Sequence, residues 1–188
     1  MLTSAAQRIV DMTRALLGAL VKHPDAIVIE AHEAGDQLSL FYRGHYQDVP
    51  RLVGSGGKTA TATLRVIQMA GAMLGVNVFV RLLDPEGGKR PVAPTPFVVN
   101  HEWQPAPLRD ALERILAIVL PHPSAIEEMH FRNLTRFHVR IDKRDYAVFN
   151  IIEPRLSLLA NAAGKCHGRF VLLETGSGDF TVTEKSTA

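Results

Sequence analysis

Cysteine is almost missing from this chain: Cys166 is the only one in 188 residues. That excludes an intrachain disulfide framework and any multi-cysteine zinc site, and it suits a reducing compartment, where Cys166 would serve as a small buried hydrophobe. Long apolar runs are missing too. No uncharged apolar run reaches about 18 residues, so no spanning helix is expected. Arg8, Asp11 and Arg14 interrupt what an export signal would need as its apolar core. The expectation is a cytoplasmic protein with no membrane partner. Charge of one sign is scarce as well. The net charge is +2 and the pI is near 8.9, which permits a nucleic-acid partner without demanding one. Eight histidines are scattered without paired ligand spacing, so no metal and no cofactor are expected. No nucleophile, base and orienting group can be assembled from the local sequence, so the chain does not read as an enzyme.

Proline is present but unevenly spread. Pro85, Pro91, Pro94, Pro96 and Pro105 crowd residues 84–106, too densely for helix or central strand, and this stretch reads as an extended linker. Its Trp103 is expected to pack against a neighbouring unit instead of standing in water. The linker divides the chain into residues 1–83, residues 107–175 and a polar tail at 176–188. Each of the two larger units carries two more basic than acidic side chains, so charge does not distinguish them.

The two units resemble each other. Ile9, Leu16, Leu17, Leu20 and Val21 keep helical spacing and run into His23-Pro24-Asp25-Ala26-Ile27. Leu108, Leu112, Ile115, Leu116, Val119 and Leu120 do the same and run into His122-Pro123-Ser124-Ala125-Ile126. Each HP turn suggests capping or packing by its histidine. Strand-like sequence follows both turns, at 26–32 and 38–43 and again at 125–131 and 136–141, with Gly35-Asp36 as the turn of the first pair. A small-residue helix and a last strand close each unit: 59–74 and 76–83 in the first, 156–166 and 170–173 in the second. The order is that of a duplicated α+β unit. Arg136, Arg140, Lys143 and Arg144 could form a phosphate patch. The nearby Glu127, Glu128, Asp142 and Asp145 favour a mixed-charge solvated surface instead.

One segment has no counterpart in the second unit: Arg51-Leu52-Val53-Gly54-Ser55-Gly56-Gly57-Lys58-Thr59. Three glycines in four residues are entropically costly to order, and they open directly into a helix, where backbone amides attract anions. A phosphate-cradling loop of nucleotide hydrolases would need glycine at position 52, which is Leu52 here. Two readings stay open: a loop that holds a nucleic-acid backbone, or a tight helix–helix turn with no ligand.

In its setting, Gly54-x-x-Gly57 resembles the GXXG loop of KH domains, which clamps about four nucleotides of single-stranded backbone. Residues 5–83 are similar to the small bacterial KH RNA-binding proteins of type II fold, which carry a helix, an (N/H)PD turn, two strands, an acidic residue, VIG and the GXXG loop. The matching stretches here are His23-Pro24-Asp25, Asp48 to Gly54, and Gly57-Lys58-Thr59-Ala60. The resemblance implies tandem type II KH-like domains (α-β-β-α-α-β), each a three-stranded sheet with helices on one face. It implies single-stranded RNA as partner, held by residues Arg51 to Thr59, with Lys58 and Arg51 assisting the backbone amides. It also implies a second KH-containing protein, or self-association, for useful affinity. Two departures stand out. Ser55-Gly56 lacks the basic residue usual in the loop. The second unit, seven residues shorter between His122 and Leu156 than between His23 and Leu64, is a degenerate copy in which Asn150 to Pro154 replace the clamp. The competing reading is a protein–protein scaffold that binds no RNA.

Overall fold

The computed structural model describes residues 2–83, 106–132, 134–166 and 169–177. Most of the proline-rich linker, Trp103 and the tail beyond Ser177 lie outside them. In chain order the elements are α1 (Ser4–Leu20), β1 (Val28–Ala34), β2 (Gln37–Arg43), α2 (Val49–Val53), α3 (Lys58–Met73) and β3 (Asn77–Leu82). Then come α4 (Ala106–Val119), β4 (Ala125–Phe131), β5 (Leu134–Ile141), α5 (Tyr146–Cys166) and β6 (Phe170–Ser177). The protein is α+β, with two three-stranded sheets ordered β1-β2-β3 and β4-β5-β6.

Local chemistry explains the elements. Thr3 caps α1 by accepting a hydrogen bond from the Ala6 amide, and Ile9, Met12, Leu16 and Leu20 recur at helical spacing on its buried face. Pro24 ends the run, because the residue before a proline is pushed out of the α region; His23 has φ −120° and ψ 71°. In each sheet the first two strands form an antiparallel hairpin and the third joins the middle strand in parallel. Alternate residues of the middle strands, Leu38, Leu40 and Tyr42 in one and Phe137, Val139 and Ile141 in the other, turn inward and are buried.

The two halves follow the same order of elements, except that α2 and α3 of the first stand where the second has the single helix α5, and two matched details extend the likeness. A buried aspartate holds the histidine of each HP turn: His23 Nδ1 lies 2.8 Å from Asp48 Oδ2, and His122 Nδ1 lies 2.8 Å from Asp145 Oδ1. Each long helix also meets its last strand through a glycine. A Cβ at Gly71 would stand 2.3 Å from Val78 Cγ2, and one at Gly164 would stand 2.5 Å from Val171 Cγ2, so no other residue permits that approach.

Matching the halves this way corrects the sequence-based spacing. His23 and Asp48 are 25 positions apart, His122 and Asp145 only 23. That difference of two falls at the 3-10 turn Pro24–Ala26, because β1 begins five residues after His23 and β4 three after His122. A further four residues are missing between Asp145 and Gly164 relative to Asp48 and Gly71. Leu156 therefore matches Thr63, not Leu64, and both are buried. The expected short helix at 156–166 is instead the 21-residue α5, which runs straight through Pro154. The last strand, expected to stop at Leu173, continues to Ser177.

The halves share a core. α1 packs on α4 and α3 on α5, Arg8 donates to the Ala117 carbonyl at 3.3 Å, and the buried side chains of both repeats form one continuous cluster.

Candidate nucleic-acid interface

The glycine segment sits between two helices that are one helix in the second repeat. α2 ends at Val53, a single 3-10 turn spans Ser55–Gly57, and α3 begins at Lys58. At the equivalent place α5 passes from Asn150 to Ile151 without a break. The four residues Gly54, Ser55, Gly56 and Gly57 are thus an insertion into a scaffold that closes without them.

The backbone requires glycine here. Gly54 has φ 73° and ψ 172°, a region adopted essentially by glycine alone. A Cβ at this position would stand 2.2 Å from Thr59 Oγ1 and 2.9 Å from the Thr59 nitrogen. Gly56 and Gly57 are both left-handed, at φ 60° and 76°, but a Cβ at either would meet nothing within 4 Å. Their side of the loop is open, and Ser55 and Gly56 are exposed.

The electrostatics of the following helix are unusual for an N-terminus. α3 has no side-chain cap and no acidic residue in its first turn, and its first residue is Lys58. Helix starts disfavour positive charge, because their free amides already carry roughly half a unit of it. Lys58 is exposed and has no ion-pair partner among the described residues. The Gly54, Gly57 and Lys58 amides are taken by the Pro50, Gly54 and Ser55 carbonyls, while the helix dipole and the ammonium group point the same sign at the same open surface.

The sequence-predicted residues separate into three groups. Gly54, Ser55, Gly56, Gly57, Lys58 and Val53 form the surface of the loop. Leu52 is 1% exposed and Thr59 is 5% exposed, so these two support it from the core. Arg51 is committed locally: its guanidinium donates to the Gln47 carbonyl at 3.0 Å and to Asp48 Oδ1 at 3.1 Å.

Asp48 is the anchor beneath this surface. Fully buried, it accepts from the Lys22 amide at 3.2 Å and the His23 amide at 3.0 Å, as well as from His23 Nδ1 and Arg51. These bonds tie the end of α1 to the start of α2 and fix where the loop emerges. Two residues that sequence spacing did not bring together join it here: the His45 ring stacks 4.2 Å from that of His23 and 4.4 Å from Tyr46. Ligand atoms of His23, His45 and Asp48 lie within 4.8 Å of one another, but both Asp48 oxygens already serve N–H donors, and Arg51 sits against them. A cation would have to displace these bonds, and the matched His122–Asp145 pair in the second repeat identifies the arrangement as scaffold. Cys166 is buried as expected, with its thiol pKa pushed up by burial.

Two surface hollows, of about 360 and 640 Å³, lie elsewhere; neither is lined by a residue between 51 and 59. Arg136 and Arg140 do share one sheet face, but they stand against Glu174 and Glu127, the mixed-charge surface expected for them. Among the described residues, no helix is long and apolar enough to cross a membrane. No family model matches the chain, and no curated protein is significantly similar to it in sequence.

Proposed function

We propose that the first repeat is a type II KH-like domain that binds single-stranded RNA by its sugar-phosphate backbone, and that the second is a degenerate, architectural copy. The carrying observation is the insertion at Gly54–Gly57. The same fold is built in the second repeat without it, so the three left-handed or glycine-only residues answer no need of folding. They leave an open, uncapped helix start next to an unpaired lysine. A phosphate can approach the loop backbone closely because no side chain stands at Gly56 or Gly57, and Lys58 supplies charge from the helix side. Arg51, held by Asp48, contributes field more than direct contact. In this reading Leu52 and Thr59 hold the loop, and bases lie along the surface beside Val53.

The test is a titration of short single-stranded RNA against the full chain at two salt concentrations. Backbone clamping through about three phosphates should weaken binding by about tenfold to twentyfold between roughly 50 and 200 mM salt. Absence of binding at the lower salt would instead support the reading of the glycine segment as a turn within a protein-interaction scaffold.

A further inference from the structure

We infer that the outward face of the second sheet is a self-association surface on which a second copy of this chain docks. The duplication supplies the comparison that carries this. Strand register places Phe131, Leu134 and Phe170 in one row across β4, β5 and β6, followed by a row of Met129, Arg136 and Leu172. The matched rows of the first sheet are Ala34, Gln37 and Asn77, then His32, Ser39 and Phe79. In the first row, Ala34, Gln37 and Asn77 of one sheet are thus replaced by large apolar residues in the other; in the second row, Met129 replaces His32, while both sheets expose an apolar residue on the last strand, Phe79 at 55% and Leu172 at 39%. Phe170 is 68% exposed, Phe131 52%, and Met129 and Leu172 39% each. Nothing in the hydrophobic core requires them, because the opposite side chains of the same strands (Ile126, Phe137, Val171 and Leu173) face the helices.

Area selects the occupant. Two of the arginines on this face have a carboxylate beside them: Arg136 stands 3.5 Å from Glu174 and over the Phe131 ring, although its Nε has no hydrogen-bond partner, and Arg140 pairs with Glu127. Arg132 and Arg169 flank the apolar row with no ion-pair partner among the described residues, so the contact between two copies would be made by the apolar rows and not by charge. With aromatic side chains covering about 150–250 Å² each when buried, the exposed part of the patch is on the order of 400 Å². That is close to the apolar share of one side of a standard interface, about 800 Å² per partner. Two copies related by a two-fold axis would stack these rows sheet to sheet at about 10 Å.

Sedimentation velocity on the full chain, from about 1 to 200 μM, tests this. The parent should pass from monomer to dimer, and F131S/F170S should weaken association at least tenfold. Both side chains are exposed, so the variant should keep its thermal unfolding; M129E is the second variant should it not. Q37A/N77A, on the matched row of the first sheet, should dimerise like the parent. A parent that stays monomeric throughout, its face covered by other residues of the chain or kept for a different protein, would overturn the proposal. So would a dimer untouched by both apolar-face variants.

Discussion

Asp48 and Asp145 occupy the same place in the two repeats, and comparing them separates what the fold needs from what the loop needs. Each carboxylate is buried and accepts the backbone amide and the ring nitrogen of an HP-turn histidine. Removing either leaves buried donors without an acceptor, which costs on the order of 2 kcal/mol or more. Asp48→Ala and Asp145→Ala should therefore both lower the denaturation midpoint, Asp48→Ala more, because Lys22 and Arg51 lose a partner as well. A stability loss for Asp48→Ala with none for Asp145→Ala would show that the pair is not a repeated scaffold feature. At this scale the sequence is partly legible. The need for glycine at position 54 follows from its φ of 73° and its contact with Thr59, and the density of glycines announces it. The stacking of His45 on His23 does not show, since a whole hairpin separates them and no local pattern records which loop returns to which turn. Nor does the burial of Leu52, because a short helix has too few turns to display a periodic face.

Among the elements, α5 departs furthest from what its residues suggest. Pro154 lies in its interior, where proline removes one main-chain bond and crowds the carbonyl four residues back. Taken alone it argues for a helix boundary, and the sequence reading places one there. Packing decides otherwise: Phe149, Ile152, Leu156, Leu159, Ala160 and Ala163 are buried on both sides of it, and each of these side chains contributes about 1 to 3 kcal/mol. Pro154→Ala should relieve that conflict and raise the melting temperature by a few degrees, as about 1 kcal/mol does in a chain of this size. An unchanged or lowered melting temperature would mean that the helix is already adapted to the proline. β6 runs past its expected end for a related reason, its Glu174, Gly176 and Ser177 having weak strand propensity that pairing with His138, Arg140 and Ile141 overrides. The hairpins, by contrast, were legible. Alternation and the Gly35-Asp36 turn set β1 and β2 to within two residues.

For the molecule as a whole, the repeat was readable from helical spacing and the paired HP turns, but the partnership of its halves was not. An amphipathic face states that a helix is covered and not by what. α1 is covered by α4, and α3 by α5, so either half alone would expose apolar surface that the intact chain buries. Residues 1–83 and 106–177 produced as two separate chains in one cell should therefore co-purify. Their separation during gel filtration would show that the shared core contributes little. The same duplication frames the central claim, that a loop absent from one repeat and costly in the other exists to hold RNA backbone. S55D/G56D places two carboxylates where a phosphate must come. Aspartate tolerates the left-handed conformation required at position 56 better than most side chains do, so the protein should stay folded; lysine is better placed at Ser55, where φ is ordinary, than at Gly56. At about 4 Å and an effective dielectric near 20, each added charge repels a phosphate by about 4 kcal/mol before screening, and a quarter of that from both would still exceed tenfold. The deciding measurement is fluorescence anisotropy of a labelled short single-stranded RNA titrated with the parent, S55D/G56D and S55K at low salt. The expected result is salt-sensitive binding by the parent, at least tenfold weaker binding by S55D/G56D with its thermal unfolding retained, and tighter binding by S55K. Equal binding by the parent and a folded S55D/G56D would contradict the account.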